Sequence, residues 1–265
     1  MSVFYGRALT AGGGGISVPR FTYTGTYEYI DDGNGNWRIK FLTSGVFTPL
    51  KDMVIEVFLV GAGGGGGRSP NSSSSHPIVN VCSSGGGGGF TKTVRSVILT
   101  KDTAYEIVVG VGGAPEVDGG STSAFNATVS GGKKGLTSGG DRKGVAGGAG
   151  GSGGGGANTS AGSGQGAGDG GSDGSNGSSV SDGAGGTGQG TTTREFGEAT
   201  GDLYSGGGGG VTVVIMGTLK GDGGAGGGAK GGESAADNTG GGGGGNGGYG
   251  GSGIVIIRNH KEAAA

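Results

Sequence analysis

Apolar and polar residues alternate along the first third of the chain, and the alternation then gives way to glycine. Phe21, Tyr23, Tyr27 and Tyr29 are separated by polar residues, which puts four rings on one face of an extended segment. Asp31-Asp32-Gly33-Asn34-Gly35 reads as a turn. Beyond it, Trp37, Ile39 and Phe41 alternate with Arg38 and Lys40, so the two runs predict a hairpin with an aromatic inner face. Ser44 to Pro49 is a shorter extended piece. Val54 to Val60 has the composition of a central strand, and it runs directly into Gly61-Ala62-Gly63-Gly64-Gly65-Gly66-Gly67.

That junction recurs. Gly85 to Gly89 leads into a strand over Phe90 to Leu99. Tyr105 to Val111 ends in Gly112-Gly113, and Gly119-Gly120 leads into Ser121 to Ser130. Gly206 to Gly210 leads into a strand over Val211 to Met216. The run from Gly240 to Gly253 leads into Ile254-Val255-Ile256-Ile257-Arg258, which is apolar on both faces, as a buried central strand is. No apolar pattern at i, i+3, i+4, i+7 persists for three turns, so no helix is predicted.

Between Gly131 and Tyr204 the sizeable apolar residues are Leu136, Val145, Val180, Phe196, Leu203 and Tyr204, too few for a conventional core. Two readings follow. Ordering a residue costs about 1–2 kcal/mol, and a net hydrogen bond returns about 1 kcal/mol, so an isolated Gly tract is a flexible linker. Alternatively, glycines in the polyproline II conformation, with three residues per turn, can pack side by side. Their N–H and C=O groups then bond laterally, because no side chain holds the chains apart. Such a bundle needs a nucleus, and strands stitched to both ends of the Gly runs supply one. The chain therefore divides into an arm (1–20), a β-sandwich with Gly-rich insertions (21–130), a polyglycine II region containing a strand over 211–216 (131–253), and a final strand that rejoins the sandwich (254–258). The arm could equally be a frayed terminus. The expected class is all-β, with a sandwich fused to a Gly-helix bundle.

Composition narrows the function. Glycine supplies 79 of 265 residues and proline only 5. Gly151-Ser152-Gly153-Gly154-Gly155-Gly156 breaks any G-X-Y period, which excludes collagen. The net charge is −2 with scattered Lys and Arg, which argues against nucleic acid as a partner. Cys82 is the single cysteine, so no disulfide framework exists. The first residues lack the apolar core of a signal peptide, and the longest apolar run is far short of the ~20 residues of a membrane helix. Synthesis in the cytoplasm without membrane insertion is the expectation.

The stretch Val57-Phe58-Leu59-Val60-Gly61-Ala62-Gly63-Gly64-Gly65-Gly66-Gly67 resembles junctions in glycine-rich tail proteins of phages and prophages. The ending Gly247-Gly248-Tyr249-Gly250-Gly251-Ser252-Gly253-Ile254-Val255-Ile256-Ile257-Arg258 does so too. The Gly region is similar in style to the tail-fibre tip adhesins of T-even phages, and to the extracellular glycine-rich domain of a receptor tyrosine kinase. The adhesin resemblance implies a sandwich of polyglycine II helices whose intervening loops bind a bacterial receptor. The fibre-attachment domain of those adhesins is not evident, and strands like those of a TNF-type jelly roll stand in its place. A virion location at the tail tip or fibre follows. The implied partners are a bacterial surface glycan or outer protein and other tail or fibre proteins, with a homo-oligomer left open.

Candidate chemistry is sparse. GxGxxG matches abound but lack a βαβ unit, and Gly132-Lys133-Lys134-Gly135 lacks the Ser or Thr of a P-loop. Gly166 to Gly174 carries Asp169 and Asp173 in a pattern like calcium-binding nonapeptides, without their recurrent apolar position; these and Asp182 read as solvated. Cys82 with His76 or His260 could pair as nucleophile and base, but a Ser-rich loop gives no orienting shell. No enzyme activity, cofactor or metal is expected. The informative segments interrupt the glycines. Arg68 to Ser84 offers His76 and Asn80, and Thr191 to Ser205 offers Arg194, Glu195, Phe196, Leu203 and Tyr204 as receptor-binding candidates. The alternative for Phe196 and Tyr204 is a small cap folded back over the bundle. Besides the adhesin, a structural virion or appendage protein and an ice- or surface-binding protein remain as readings. Thr191-Thr192-Thr193 is the one hint of a regular surface-binding face.

Overall fold

The computed structural model describes residues 19–68, 82–138, 144–157, 168–172, 193–214 and 217–259. These residues are nearly all β, with one turn of 3-10 helix at Glu195–Gly197 and no α-helix among them. Three antiparallel sheets form. The first has the order β2 (Tyr27–Gly33), β3 (Asn36–Phe41), β13 (Ile254–Arg258), β5 (Met53–Val60), β7 (Thr91–Leu99). The second has the order β1 (Phe21–Tyr23), β4 (Gly45–Pro49), β8 (Tyr105–Val108), β9 (Thr122–Ala124), β10 (Ala127–Val129). A small third sheet joins β12 (Gly217–Lys220), β11 (Val211–Val214) and β6 (Cys82–Ser83).

The first two sheets make a sandwich. Strand alternation sends Trp37, Ile39, Phe41, Ile55, Val57, Leu59, Val255 and Ile257 inward, where they meet Phe47, Ile107 and Ala124 of the second sheet. The rings pack at angles, with Phe41 and Phe47 5.4 Å apart and Phe47 and Phe125 6.1 Å apart. The expected hairpin is present, and its turn is Asn34-Gly35, both at positive φ (54° and 79°). Two sequence expectations need correction. Phe21 and Tyr29 do not share a strand: the chain breaks at Gly25, and β1 pairs with β4 in the second sheet. Gly25 and Gly45 approach so closely there that a Cβ on either would strike the other segment's backbone. Ser121 to Ser130 is not one strand but a hairpin, turned at Phe125 and Asn126 (φ 48° and 62°). Of the strand placed over 211–216, Val211–Val214 forms β11, Ile215 and Met216 lie outside the described residues, and β11 pairs with β12, which the sequence did not suggest.

The glycine runs form a lattice, visible in their hydrogen bonds. Within the rod 61–67, Gly61, Gly64 and Gly67 donate to Phe90, Gly87 and Ser84. Ala62 and Gly65 donate to Gly120 and Val117, while Gly63 and Gly66 donate to Gly251 and Gly248. The carbonyls of 62 and 65 accept from Gly132 and Gly135, those of 63 and 66 from Gly113 and Glu116, and those of 64 and 67 from Gly243 and Gly247. Five of the six partner segments recur at a spacing of three, the sixth (Gly243 and Gly247) at four, and three donor plus three acceptor directions give this rod six neighbours. A β-strand repeats every two residues and has two neighbours. A period of three with six neighbours is the signature of a threefold polyglycine II helix in hexagonal packing. The six close into a ring through bonds such as Gly87 to Lys133, Gly119 to Gly132, Gly250 to Gly113 and Gly86 to Gly243.

Glycine is required here for space. A Cβ at Gly63, Gly64, Gly65 or Gly66 would fall on the carbonyls of Gly241, Lys133, Ala114 or Gly244. Side chains survive where they point outward: Lys133, Lys134 and Leu136 are exposed while Gly132 and Gly135 are buried, and exposed Tyr249 stands between buried Gly248 and Gly250. β5, β7, β8 and β13 each run into or out of a rod, so the sandwich fixes where rods start and which way they point. The rod 61–67 is about 20 Å long at roughly 3.1 Å per residue, and the third sheet lies at its far end. Asn238 bolts the near end to the sandwich, with Nδ2 donating to the carbonyls of Leu42 (2.9 Å) and Gly253 (3.1 Å).

Candidate functional site

The most structured candidate is the strap Thr193–Ser205 on the outer face of the first sheet. That face exists because β3, β5 and β13 are covered on both sides. Alternation sends Arg38 and Lys40, Glu56, Phe58 and Val60, and Ile254, Ile256 and Arg258 outward. Phe58, Val60, Ile254 and Ile256 form a second apolar cluster, and Phe196 and Tyr204 of the strap complete it. The two strap rings lie 6.0 and 5.6 Å from Phe58.

The backbone of the strap is bonded to itself. Glu195 N–H donates to Asp202 O, Gly197 to Arg194 O, Glu198 to Glu195 O, Gly201 to Glu198 O, and Tyr204 to Thr193 O. Arg194 Nη1 adds a bond to Gly201 O at 3.1 Å. Phe196 is held at φ 55°, ψ 13°, a left-handed conformation that costs a non-glycine residue about 1–3 kcal/mol. Burial of its ring offsets that cost. Ser205 then joins the bundle, its N–H donating to Thr239 O at 2.9 Å and its Oγ to Gly89 O.

Charges bind the strap to the sheet. Glu195 is 2% exposed, and its Oε1 lies 2.6 Å from Arg38 Nη1. Its Oε2 accepts from Tyr204 Oη at 3.3 Å and has Lys40 Nζ at 3.7 Å. Lys40 also reaches Asp202 at 3.6 Å. Arg38 grips Asp32 through Nε and Nη2, both at 2.9 Å. Arg258 is 3% exposed; it bonds Glu56 Oε2 through Nη2 (2.6 Å) and Nε (2.7 Å) and Glu198 Oε1 through Nη1 (2.6 Å). Its guanidinium sits 4.0 Å over the Phe196 ring. Hydrogen bonding to Asp32 and then to Glu195 pushes the Arg38 pKa up. Burial, followed by the Glu195 and Asp202 charges, pushes the Tyr204 phenol well above its usual range, so it stays protonated and donates. A cleft of about 280 Å³ opens beside the strap, lined by Asp32, Arg38, Glu198, Thr200, Asp202 and Arg258 among others.

Of the sequence candidates, Arg194, Glu195, Phe196, Leu203 and Tyr204 come together in this strap, with Arg194 bridged to Leu203. Phe196 and Tyr204 fold back as a cover and are 1% and 6% exposed, so they do not stand out as anchors. The rings cover the outer face of a sandwich sheet, on Phe58, Val60, Ile254 and Ile256, and not the bundle over which the sequence reading had folded them. His76 and Asn80 lie outside the described residues, as does His260, so a pairing with buried Cys82 has no described geometry. Asp169 is exposed, while Asp173 and Asp182 lie outside the described residues. Among the described residues no group of three or more His, Cys, Asp or Glu is placed to hold a metal ion, and no helix is long and apolar enough to cross a membrane. Asp32, Arg38 and Arg258 were missed as members of this site. One signal pointed to the cover: central strands apolar on both faces need something on the second face, and Thr191 to Ser205 is the stretch of the Gly half densest in large side chains.

A second surface lies on the bundle. Val111, Val117, Leu136 and Tyr249 are 78%, 52%, 45% and 54% exposed, on four rods that are consecutive neighbours around the central one. By register, Val117, Leu136 and Tyr249 stand level with Gly65 to Gly67, near the end remote from the sandwich.

Fold and surface together define an all-β sandwich that carries a glycine-helix bundle. A family model described as a glycine-rich domain matches residues 42–260, and the chain belongs to that family. No curated protein matches it.

Proposed function

We propose that the protein is a phage or prophage tail-tip adhesin that recognises a bacterial surface glycan or outer protein without catalysis, and that it resides in the virion. The observation that supports this reading is the division of labour in the bundle. Its backbone groups are consumed laterally and its interior holds almost no side chains, so chemistry is confined to outward residues on a fixed frame. Such a frame presents side chains without ordering a loop on contact, which lowers the entropic cost of binding. Tyr249, Val117 and Leu136, at the end remote from the sandwich, are the proposed contact residues. A tyrosine face beside aliphatic groups suits a sugar ring or an apolar receptor loop.

Purified labelled protein is expected to bind a subset of bacterial strains saturably. The triple change Val117→Ser, Leu136→Ser, Tyr249→Ser should cut that binding at least tenfold with an unchanged melting curve. These side chains point to solvent, so the change separates binding from folding, which replacement of buried Phe196 and Tyr204 cannot do. A folded protein that binds no strain in a broad panel would favour the alternative, a structural component whose bundle serves as a stiff spacer.

A further inference from the structure

We propose that the strap 194–204 is an internal ligand seated on an anion-binding face, and that a polymer bearing closely spaced carboxylates competes with it for that face. The argument begins with register. Arg38 on β3 and Arg258 on β13 are direct cross-strand partners, on the outward face of the sheet. Like charges directly opposite in a sheet repel, so this pair is unfavourable unless anions bridge it. Glu56 opposes Arg258 from β5, and Asp32 reaches Arg38 from the edge. Each arginine still has a guanidinium nitrogen directed outward, and the strap fills both, Glu195 at 2.6 Å from Arg38 and Glu198 at 2.6 Å from Arg258. Lys40, the next outward residue on β3, takes Asp202 at 3.6 Å. The strap is thus an acidic segment whose carboxylates are spaced to meet three cations of the sheet. Arginine recognises such groups with directed, charge-assisted bonds.

The strap is also built to leave. Apart from the Tyr204 N–H bond to Thr193 at its root, the backbone bonds of 194–204 named above close within it, so its release breaks ion pairs, side-chain hydrogen bonds and ring contacts but no rod or strand. The left-handed Phe196 would relax on release. Solvent already reaches the site through the cleft, where Glu198 is 49% and Arg38 27% exposed at their side chains. A polyanion can engage Arg38 there before the rings lift. This inference does not depend on the adhesin reading, and its test uses no cells.

The probe is polygalacturonate, with neutral dextran as control. Binding is measured by calorimetry at low and moderate salt, and amide exchange is followed across residues 195–204 and 62–66. Polygalacturonate should bind weakly, lose affinity with salt, and speed exchange in the strap at least fivefold while leaving the rod unchanged. Glu195→Gln with Glu198→Gln weakens the internal ligand and should tighten binding at least tenfold. That gain is judged against Asp222→Asn with Glu233→Gln, which changes net charge equally on exposed bundle sites. Arg38→Gln should abolish the gain. Binding no tighter in the strap variant than in the charge-matched control overturns the proposal. If the strap variant fails to fold, the wild-type exchange experiment decides: an unchanged strap in saturating polygalacturonate overturns it equally.

Discussion

The sandwich and the bundle share four strands end to end, yet opposite rules hold them together. In the sandwich, side chains fill the space between sheets: Phe41, Phe47, Ile107 and Ile257 are fully buried. Stability there comes from apolar area removed from water. In the bundle, the space between chains is already filled by the chains themselves. Neighbouring backbones approach so closely that a single methyl group has no place, and stability comes from lateral hydrogen bonds. Each bond returns about 1 kcal/mol against an ordering cost of similar size per residue. Rods are therefore close to break-even alone and depend on the strands that start and aim them. In one region removing volume is costly, and in the other adding it is.

The sharpest way to break that comparison is to add volume at the centre of the bundle. Gly64→Val and Gly86→Val would each drive a side chain into backbone, against Lys133 in the first case and Gly64 in the second. Both should cost about 5 kcal/mol or more, at the extreme of single substitutions, and leave little folded protein. Chemical denaturation followed by the fluorescence of Trp37, the single tryptophan and 4% exposed, reports the loss. Lys134→Val, one rod away and outward, should change stability by less than about 0.5 kcal/mol. Equal effects at the inward and outward sites would contradict the lattice.

The reciprocal experiment removes volume from the sandwich. Phe41→Ala empties a site bounded by Tyr23 and Phe47, whose ring centroids lie 4.7 and 5.4 Å away. It should cost about 3–5 kcal/mol. The bundle has no counterpart, because a truncation to glycine there restores the commonest residue.

The same difference explains what could be read from the chain. The hairpin, the central strands and the strand-to-glycine junctions were legible because side chains carry a period of two up to a sharp compositional edge. Rod pairing was not legible, because glycine carries no pattern that says Gly63 meets Gly251 rather than Gly87. Register passes from the strands that bracket each rod and from outward residues such as Lys133 and Tyr249. The break at Gly25 was hidden because Phe21 and Tyr27 still approach each other, 5.0 Å apart, from two different strands. The split at Phe125 was hidden because an aromatic residue rarely takes positive φ. At the candidate site, the strap was legible as the interruption of the glycines densest in large side chains. Its seat was not, because Arg38 and Arg258 are brought opposite each other only by the pairing of β3 with β13.

A smaller effect tests how strictly the bundle excludes side chains. Ser152 is fully buried, and its hydroxyl is the one buried side-chain polar atom without a hydrogen-bond partner among the described residues. Its Cβ is accommodated, so the lattice has room for one methyl at this position. Ser152→Ala keeps the methyl and removes the unsatisfied oxygen, and should stabilise by about 1 kcal/mol. Ser152→Val should destabilise. If alanine lowers the denaturation midpoint, the hydroxyl has a partner and the site is not a tolerated vacancy.

The smallest predicted effect concerns charge between two outer rods. Asp118 accepts from Lys133 Nζ at 2.9 Å and from the Lys134 N–H at 3.0 Å, tying 117–120 to 132–135. Partial burial alone would raise the Asp118 pKa, but these two donors and the lysine charges outweigh it and hold the carboxyl below its ordinary 3.8. Lys133 is correspondingly raised above its ordinary 10.5, first by the hydrogen bond to Asp118. The signs define a window. A carboxylate depressed in the folded state contributes above its unfolded pKa and loses that contribution as pH falls through its folded value. A raised ammonium contributes below its unfolded pKa and loses that contribution as pH rises through its folded value. The pair should therefore contribute evenly from about pH 4 to pH 10 and fade outside that range. Both side chains are largely solvated, so the effect is small and salt-sensitive. Unfolding midpoints for wild type and Asp118→Asn are the measurement, taken in low salt from pH 3 to pH 7. The two curves should run parallel at pH 5 to 7 and converge towards pH 3. Convergence should shrink in high salt, while the Lys134 N–H bond, which asparagine's carbonyl can still accept, keeps the rods joined. Curves that stay parallel down to pH 3 would mean that the charge of Asp118 does nothing for the bundle, and that lateral backbone bonds alone hold these two rods together.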